Sequence, residues 1–337
     1  MLPRVFAVTA ITSASAALVV VLIVLVCVRT SLRPTSSHIS AHSILSIDEE
    51  AGGRIIAVDS AGGVFGCDVH SSELTRVSSI QANGEMNLKF KSALSVETAS
   101  GCLVVAIADG DGSLMRWDRS LSQWRPIDDS PLRVWWLGLG RTDGESCIGA
   151  VHKTGVVMAA YDEDVRLPID TGGDWVIVCD KVYVRIPIVG GLQVRWRSDD
   201  TLIAEEGFAD RFGFINCVAM SGDGKNICIG TSRGDVVVYN IAACKVSWSQ
   251  RVTRLRPVVN IQSDYDGGRV AFEELKFDDF EATHIGVCAS GSGTGQIGQV
   301  SLVDCGNETI RTMVFARNGD RLFLGSDSGC VLVVQLK

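Results

Sequence analysis

Residues 217–241, CVAMSGDGKNICIGTSRGDVVVYNI, and residues 312–336, TMVFARNGDRLFLGSDSGCVLVVQL, align without a gap at a separation of 95 positions. Gly224 falls on Gly319, Gly230 on Gly325, Gly234 on Gly329 and Val236 on Val331. A chain that repeats itself at this distance folds as an array of like units, which narrows its architecture more than any single motif. Each copy reads as three short strands and two tight turns. Val218 to Met220 is apolar, Ser221-Gly222-Asp223-Gly224 is a turn, and Ile227 to Ile229 is apolar again. Ser232-Arg233-Gly234 is the second turn, and Val236 to Tyr239 closes the unit. Short apolar runs bounded by Gly and Asp clusters mark an antiparallel meander.

The glycine before the third strand serves as a ruler. It recurs as Gly62, Gly112, Gly155, Gly191, Gly234, Gly298 and Gly329, at a mean interval of roughly 44 residues. Four-stranded propeller blades repeat at about 40–45 residues. The spacing therefore predicts an all-β fold, a seven-bladed β-propeller over residues 42–337, with six or eight blades left open by spacing alone. A chain with 35 Gly and 7 Pro suits many short strands joined by tight turns. A single small sheet cannot bury both faces; blades packed around an axis can, and closing the ring removes the exposed end faces.

The second repeat, VVAIADGDGSLMRWD, carries Ala108, then Asp111-Gly112-Ser113, then Trp117-Asp118 at the end of the third strand. This resembles the WD-repeat β-propeller family. The resemblance spans about residues 42–337 and implies a buried hydrogen-bond network between the turn Asp and the third-strand Trp, here Asp111 and Trp117. Elsewhere the pattern is degenerate. Tyr239-Asn240, Trp196-Arg197 and Val334-Gln335 replace the WD pair, and the family's Gly-His pair is absent. The sequence stops at Lys337, just after a third strand. Propellers of this family usually borrow the missing outer strand from the N-terminus, which directs attention to residues 35–41 within a short polar tether, 29–41.

Residues 5–28, VFAVTAITSASAALVVVLIVLVCV, form an uncharged run of 24. As a helix it would be about 36 Å long, enough to cross a bilayer core. It is read as an uncleaved single-pass signal-anchor, with a cleaved signal peptide as the alternative. Arg4 precedes the run and Arg29 and Arg33 follow it, so the flanking charges are nearly balanced. The cysteines incline the orientation. Of 11, none forms a CxxC pair and several sit inside apolar strands, which favours reduced thiols and a propeller on the cytosolic side. On the lumenal side, Asn307-Glu308-Thr309 would be a glycosylation acceptor at Asn307.

The interval between Gly234 and Gly298 is some 20 residues longer than the mean. Its excess falls in residues 264–284, DYDGGRVAFEELKFDDFEATH. Acidic and aromatic side chains interleave there: Asp264, Asp266, Phe272, Glu273, Glu274, Phe277, Asp278, Asp279, Phe280 and Glu281. Insertions in propellers project on one face, often the binding face, so these residues are the candidate docking element for a basic partner; the plainer alternative is a decorated hairpin with a solvated acidic side.

No GxSxG, HExxH, P-loop or dinucleotide fingerprint is present. The Asp109–Ser113 stretch has too few oxygen ligands for a calcium loop and reads as a hairpin turn. A net charge of −8 without a basic run argues against a nucleic-acid surface. No cofactor, metal or catalytic residue is assigned. The functional expectation is a membrane-anchored scaffold that binds other proteins. The alternative is an enzymatic or cofactor-binding propeller, because residues 234–252 are similar to the quinoprotein-type repeat, with Trp248 in place and Cys244 where that family has Gly.

Overall fold

Alternating apolar residues on consecutive strands build sheets that are buried on both faces. A computed structural model describes residues 31–50, 53–70, 73–80, 89–98, 101–127, 133–160, 164–169, 171–187, 191–253, 256–275, 284–290 and 300–336. They form seven antiparallel blades. Blade 1 comprises Ile44–Glu49, Arg54–Asp59, Val64–His70 and Glu73–Ile80, and blade 2 comprises Phe90–Thr98, Gly101–Ala108, Leu114–Asp118 and Gln123–Pro126. Blade 3 is Trp136–Thr142, Glu145–His152, Gly155–Ala159 and Val165–Leu167; blade 4 is Trp175–Cys179, Val182–Ile186, Leu192–Trp196 and Leu202–Glu206. Blade 5 is Ile215–Met220, Asn226–Thr231, Asp235–Asn240 and Lys245–Arg251. Blade 6 is Val258–Ser263, Arg269–Glu274, His284–Ala289 and Ser301–Val303, and blade 7 begins with Ile310–Phe315, Arg321–Ser326 and Cys330–Gln335.

The outer strand of blade 7 is Thr35–His38. It pairs antiparallel with Cys330–Gln335, placing Thr35 opposite Val333 and His38 opposite Cys330. Two residues further upstream, Ser31–Leu32 lie parallel to Ser301–Val303 as a fifth strand of blade 6. The N-terminal stretch is therefore bound to two blades at once. Gly329, at φ 81°, turns its carbonyl to accept from the Ile39 and Ser40 amides at 3.0 and 3.2 Å. A side chain there would collide with the Ser40 carbonyl, so the third-strand glycine is needed for closure as well as for its own turn. Beyond it, the Ser40 hydroxyl donates to the buried Asp59 carboxylate at 2.5 Å, carrying the latch onto blade 1.

Seven apolar clusters lie between the blades, one for each interface of a closed ring. The two-residue period of a strand explains them. In blade 5, Ile227, Ile229, Val237 and Tyr239 face blade 4, while Cys228, Val236 and Val238 face blade 6. Each fully buried side chain of this size contributes about 1.5–3 kcal/mol relative to exposure. Small-to-large complementarity also appears within a blade. Phe272 lies across its ladder partner Gly286, where any Cβ would strike the ring.

The expected membrane-spanning run, residues 5–28, lies outside the described residues. Among the described residues no helix is long and apolar enough to cross a membrane. The ten cysteines of the described residues are free, and most are buried.

Candidate functional site

The first strand of every blade lines the axis of the ring, and these strands all run toward the same end. Buried and partly exposed residues are interspersed along them, as in Ile44–Glu49, Val258–Ser263 and Ile310–Phe315, with a register shift against the second strand in each. Where they terminate, the channel opens into a cavity of about 700 Å³. Its walls are apolar at Val96, Leu139, Met220, Met313 and Phe315, with Tyr265 at the rim. Its ionic groups are Asp48, Glu97, Glu145 and Asp264 against Arg141 and Arg317. Carboxylates thus outnumber guanidinium groups two to one.

Both arginines are engaged by the protein. Arg317 of blade 7 pairs with Glu97 of blade 2, and its backbone amide donates to Glu49 Oε2 of blade 1 at 2.7 Å. Arg141 donates to the Gly144 carbonyl within its own hairpin. The buried Glu49 is also 3.4 Å from Arg321. Deeper in, the hydroxyls of Ser46 and Ser95 share a 2.7 Å hydrogen bond between blades 1 and 2. Opposite, the Asp223 amide donates to the Tyr265 carbonyl at 2.7 Å, and Asn226 Nδ2 donates to the Asp266 carbonyl at 2.9 Å, tying blade 5 to blade 6. This end of the ring is stitched blade to blade by polar groups, which fixes the cavity rim.

Two wall carboxyls are perturbed. Burial pushes the Asp48 carboxyl up to about 7, against the lowering effect of its contact with the Glu49 amide and the charge of Arg317. Burial likewise raises Asp264, with Asp266 adding to the effect and Arg269 opposing it. Asp264 is 7% exposed, and its Oδ1 has no hydrogen-bond partner, while Oδ2 faces Arg269 at 3.6 Å.

The structure distributes the sequence-derived candidates among different environments. Asp264 lines the cavity, and Asp266 lies two residues on in the same hairpin turn. Phe272, expected on a docking surface, is 2% exposed and belongs to the core between blades 5 and 6, because Arg269–Glu274 is the second strand of blade 6 and its apolar residues face inward. On the opposite face of that strand, burial pushes Glu273 up to about 7, with Asn260 and Arg311 acting to lower it. Glu274 is 3.6 Å from Arg256. Phe277, Asp278, Asp279, Phe280 and Glu281 lie outside the described residues.

Asp111 and Trp117 are not joined. Asp111 sits at an exposed turn and accepts from the Ser113 amide and hydroxyl at 2.9 and 2.5 Å. Trp117 packs edge-on against Trp124, with centroids 5.4 Å apart, and its indole N–H has no hydrogen-bond partner. In place of an Asp–Trp network, several blades use a local cap at the end of the second strand. Asp59, Thr231 and Ser326 each accept from the amide four residues on, Gly63 at 2.7 Å, Asp235 at 3.1 Å and Cys330 at 3.1 Å. The sequence signal was a polar side chain at the same position before the ruler glycine, with three different residue types obscuring it.

Asn307 is exposed in the turn between blades 6 and 7. Trp248 lies on the outer strand of blade 5 opposite Val238 and packs on the interface with blade 6, remote from the cavity lining. Cys244 adopts φ 49°, which accounts for glycine at the equivalent turn of the quinoprotein-type repeat. Among the described residues no group of three His, Cys, Asp or Glu side chains is placed to hold a metal. No protein-family model and no curated protein matches the chain.

Proposed function

We propose that this protein is an interaction scaffold built on a degenerate WD-like propeller and held at a membrane by residues 5–28. The observation that supports it most is the closure of the ring. Ser31–Leu32 is paired with blade 6 and Thr35–His38 with blade 7, so the apolar run ends only three residues before the first paired strand. A helix spanning residues 5–28 would then hold the edge of blades 6 and 7 against the bilayer, with almost no free linker. The opposite blades and the turns at both ends of the channel would remain open to other proteins. Propellers commonly mediate protein interactions, although fold alone does not set function. The free, mostly buried cysteines fit a reducing compartment, hence a propeller on the cytosolic side.

Protease protection on intact vesicles with a C-terminal tag, followed by detergent extraction and mass measurement of the native assembly, tests this reading. Digestion of the propeller from outside the vesicle, membrane retention after alkaline wash and stoichiometric co-purifying proteins are expected. A protected propeller with a glycosidase-sensitive mass would place it in the lumen and bring Asn307 into use. A solitary monomer that oxidises an alcohol substrate would favour the quinoprotein-like alternative.

A further inference from the structure

The end of the ring opposite the cavity, where the first strands begin, exposes apolar side chains on blades 5 and 6. Phe214 stands just before Ile215–Met220 and is 56% exposed, and Leu275 follows Arg269–Glu274 and is 40% exposed. Val259 falls at a register shift in Val258–Ser263, where it has no ladder partner, and is 37% exposed. Polar contacts tie these positions into one surface. The Phe214 amide donates to the Ser232 hydroxyl at 2.9 Å, and Arg233 donates to the Asp210 carbonyl at 2.9 Å. The Thr253 amide donates to the Gly234 carbonyl at 3.2 Å, and the Leu275 amide to the Pro257 carbonyl at 2.9 Å.

The charge beside this apolar surface differs in sign from that of the cavity. Arg211 and Arg233 are exposed, and among the described residues no carboxylate pairs with either. Arg256 and Glu274 lie 3.6 Å apart and neutralise one another. Asp210 is the remaining carboxylate, so three guanidinium groups stand against two carboxylates on a chain of net charge −8. Arginine and aromatic side chains are enriched where protein interfaces gather their binding energy. A guanidinium group also grips a carboxylate through two parallel hydrogen bonds. Strand direction favours a protein over a lipid surface. Ser31–Leu32 run parallel to Ser301–Val303, away from the cavity end. The chain ahead of residue 31 thus approaches from the cavity end, and a helix there would leave this surface facing away from the bilayer.

We propose that this surface binds an acidic protein segment, its carboxylates on Arg211 and Arg233 and its apolar side chains on Phe214, Val259 and Leu275. The inference rests on the scaffold reading and adds the face and the chemistry of the partner.

The test uses the purified full chain in detergent and a short fluorescein-labelled peptide of Glu, Phe and Leu, with Lys for Glu in its counterpart. Fluorescence anisotropy against a detergent blank is expected to show saturable binding of the acidic peptide, at least about tenfold tighter than the basic one. Arg233→Glu should weaken the acidic peptide at least about tenfold. If that variant does not fold, Arg211→Glu, at an exposed side chain, provides the same comparison. Absence of saturable binding at millimolar peptide overturns the proposal, as does equal affinity for the basic peptide or unchanged affinity in the folded variant. Binding that emerges only after residues 276–283 are replaced by Gly and Ser gives the surface to that segment and overturns the partner. Tighter binding of dihexanoyl phosphatidylserine than of the peptide assigns the face to lipid and overturns it likewise. Stoichiometric partners that an Arg211→Glu, Arg233→Glu double variant retains would overturn this surface and leave the scaffold reading standing.

Discussion

Blades 5 and 7 align without a gap in sequence, yet they are completed in opposite ways. In blade 5 the outer strand, Lys245–Arg251, follows its neighbour after a short turn. In blade 7 the outer strand is Thr35–His38, nearly three hundred residues away along the chain. The inner three strands of both blades are equally apolar, and Thr231 and Ser326 cap their turns in the same manner. What differs is the entropy of closure. A local strand adds a few residues of ordered loop, whereas the borrowed strand closes the largest loop in the molecule, and that penalty grows only logarithmically with length. A weak polar strand can therefore act as the closing element, provided other contacts assist it. Ser40 with Asp59 and Ser31–Leu32 beside blade 6 are those contacts.

The largest effect separating the two blades should come from removing residues 1–40. That deletion exposes the edge of Cys330–Gln335 and removes the Ser40 hydroxyl that donates to Asp59. The midpoint of thermal unfolding should fall by more than about 10 °C or the chain should aggregate, and a peptide spanning residues 31–41 should restore part of the loss. A deletion that leaves the midpoint unchanged would mean that three strands suffice for blade 7.

The inner strands should show no such asymmetry. Phe323→Ala in blade 7 and Ile229→Ala in blade 5 both empty sites that are fully buried, and each should destabilise by about 2–5 kcal/mol in denaturant titrations. A blade 7 variant much milder than its blade 5 counterpart would show that the borrowed strand leaves blade 7 loosely packed.

The turn of blade 7 also touches the channel, which blade 5 does at a different place. Asp48 faces Arg317 from blade 7 and Glu97 from blade 2, and burial lifts its pKa to about 7. A carboxyl whose folded pKa lies above its unfolded value binds more protons when folded. Its contribution to stability is thus most favourable at low pH and declines as pH rises from about 4 to about 7. Asp48→Asn should be more stable than the parent by roughly 1–3 kcal/mol above that window and no more stable below it. Parallel denaturation curves at both ends would be inconsistent with the raised carboxyl.

The smallest effect concerns the turn caps. Thr231→Ala and Ser326→Ala each remove one hydrogen bond to a backbone amide, and both should be destabilising by about 1 kcal/mol. A markedly larger loss at Ser326 would place that cap within the closing latch, because Gly329 lies in the same turn.

The blade pattern was visible in the sequence because strand alternation and turn chemistry are local. Gly234 and Gly329 adopt φ 81°, as a glycine-dependent turn requires, and the strands fall around them. The acidic and aromatic residues of 264–284 do not share one environment. Asp264 lines the cavity and Asp266 lies in the same turn, but Phe272 is core, because acidic residues interleaved with Phe match an exposed hairpin and a half-buried strand equally well. The Asp111–Trp117 network did not form: the blade resolves its turn through Ser113, and the indole enters an aromatic contact instead. Of the cavity carboxyls, only Asp264 stands in a stretch that the sequence singles out. Asp48, Glu97 and Asp264 come from three separate blades, and nothing in the neighbourhoods of Asp48 and Glu97 along the chain marks them.

Sequence by itself determined the repeating unit and the apolar character of both blade faces, since each depends on residues within a few positions of one another. Only the tertiary structure decided which strand closes the ring, which carboxyls share the channel and which of them lack a partner. Those outcomes depend on the circular arrangement of seven blades, which brings together residues hundreds of positions apart and excludes water from the groups that meet at the axis.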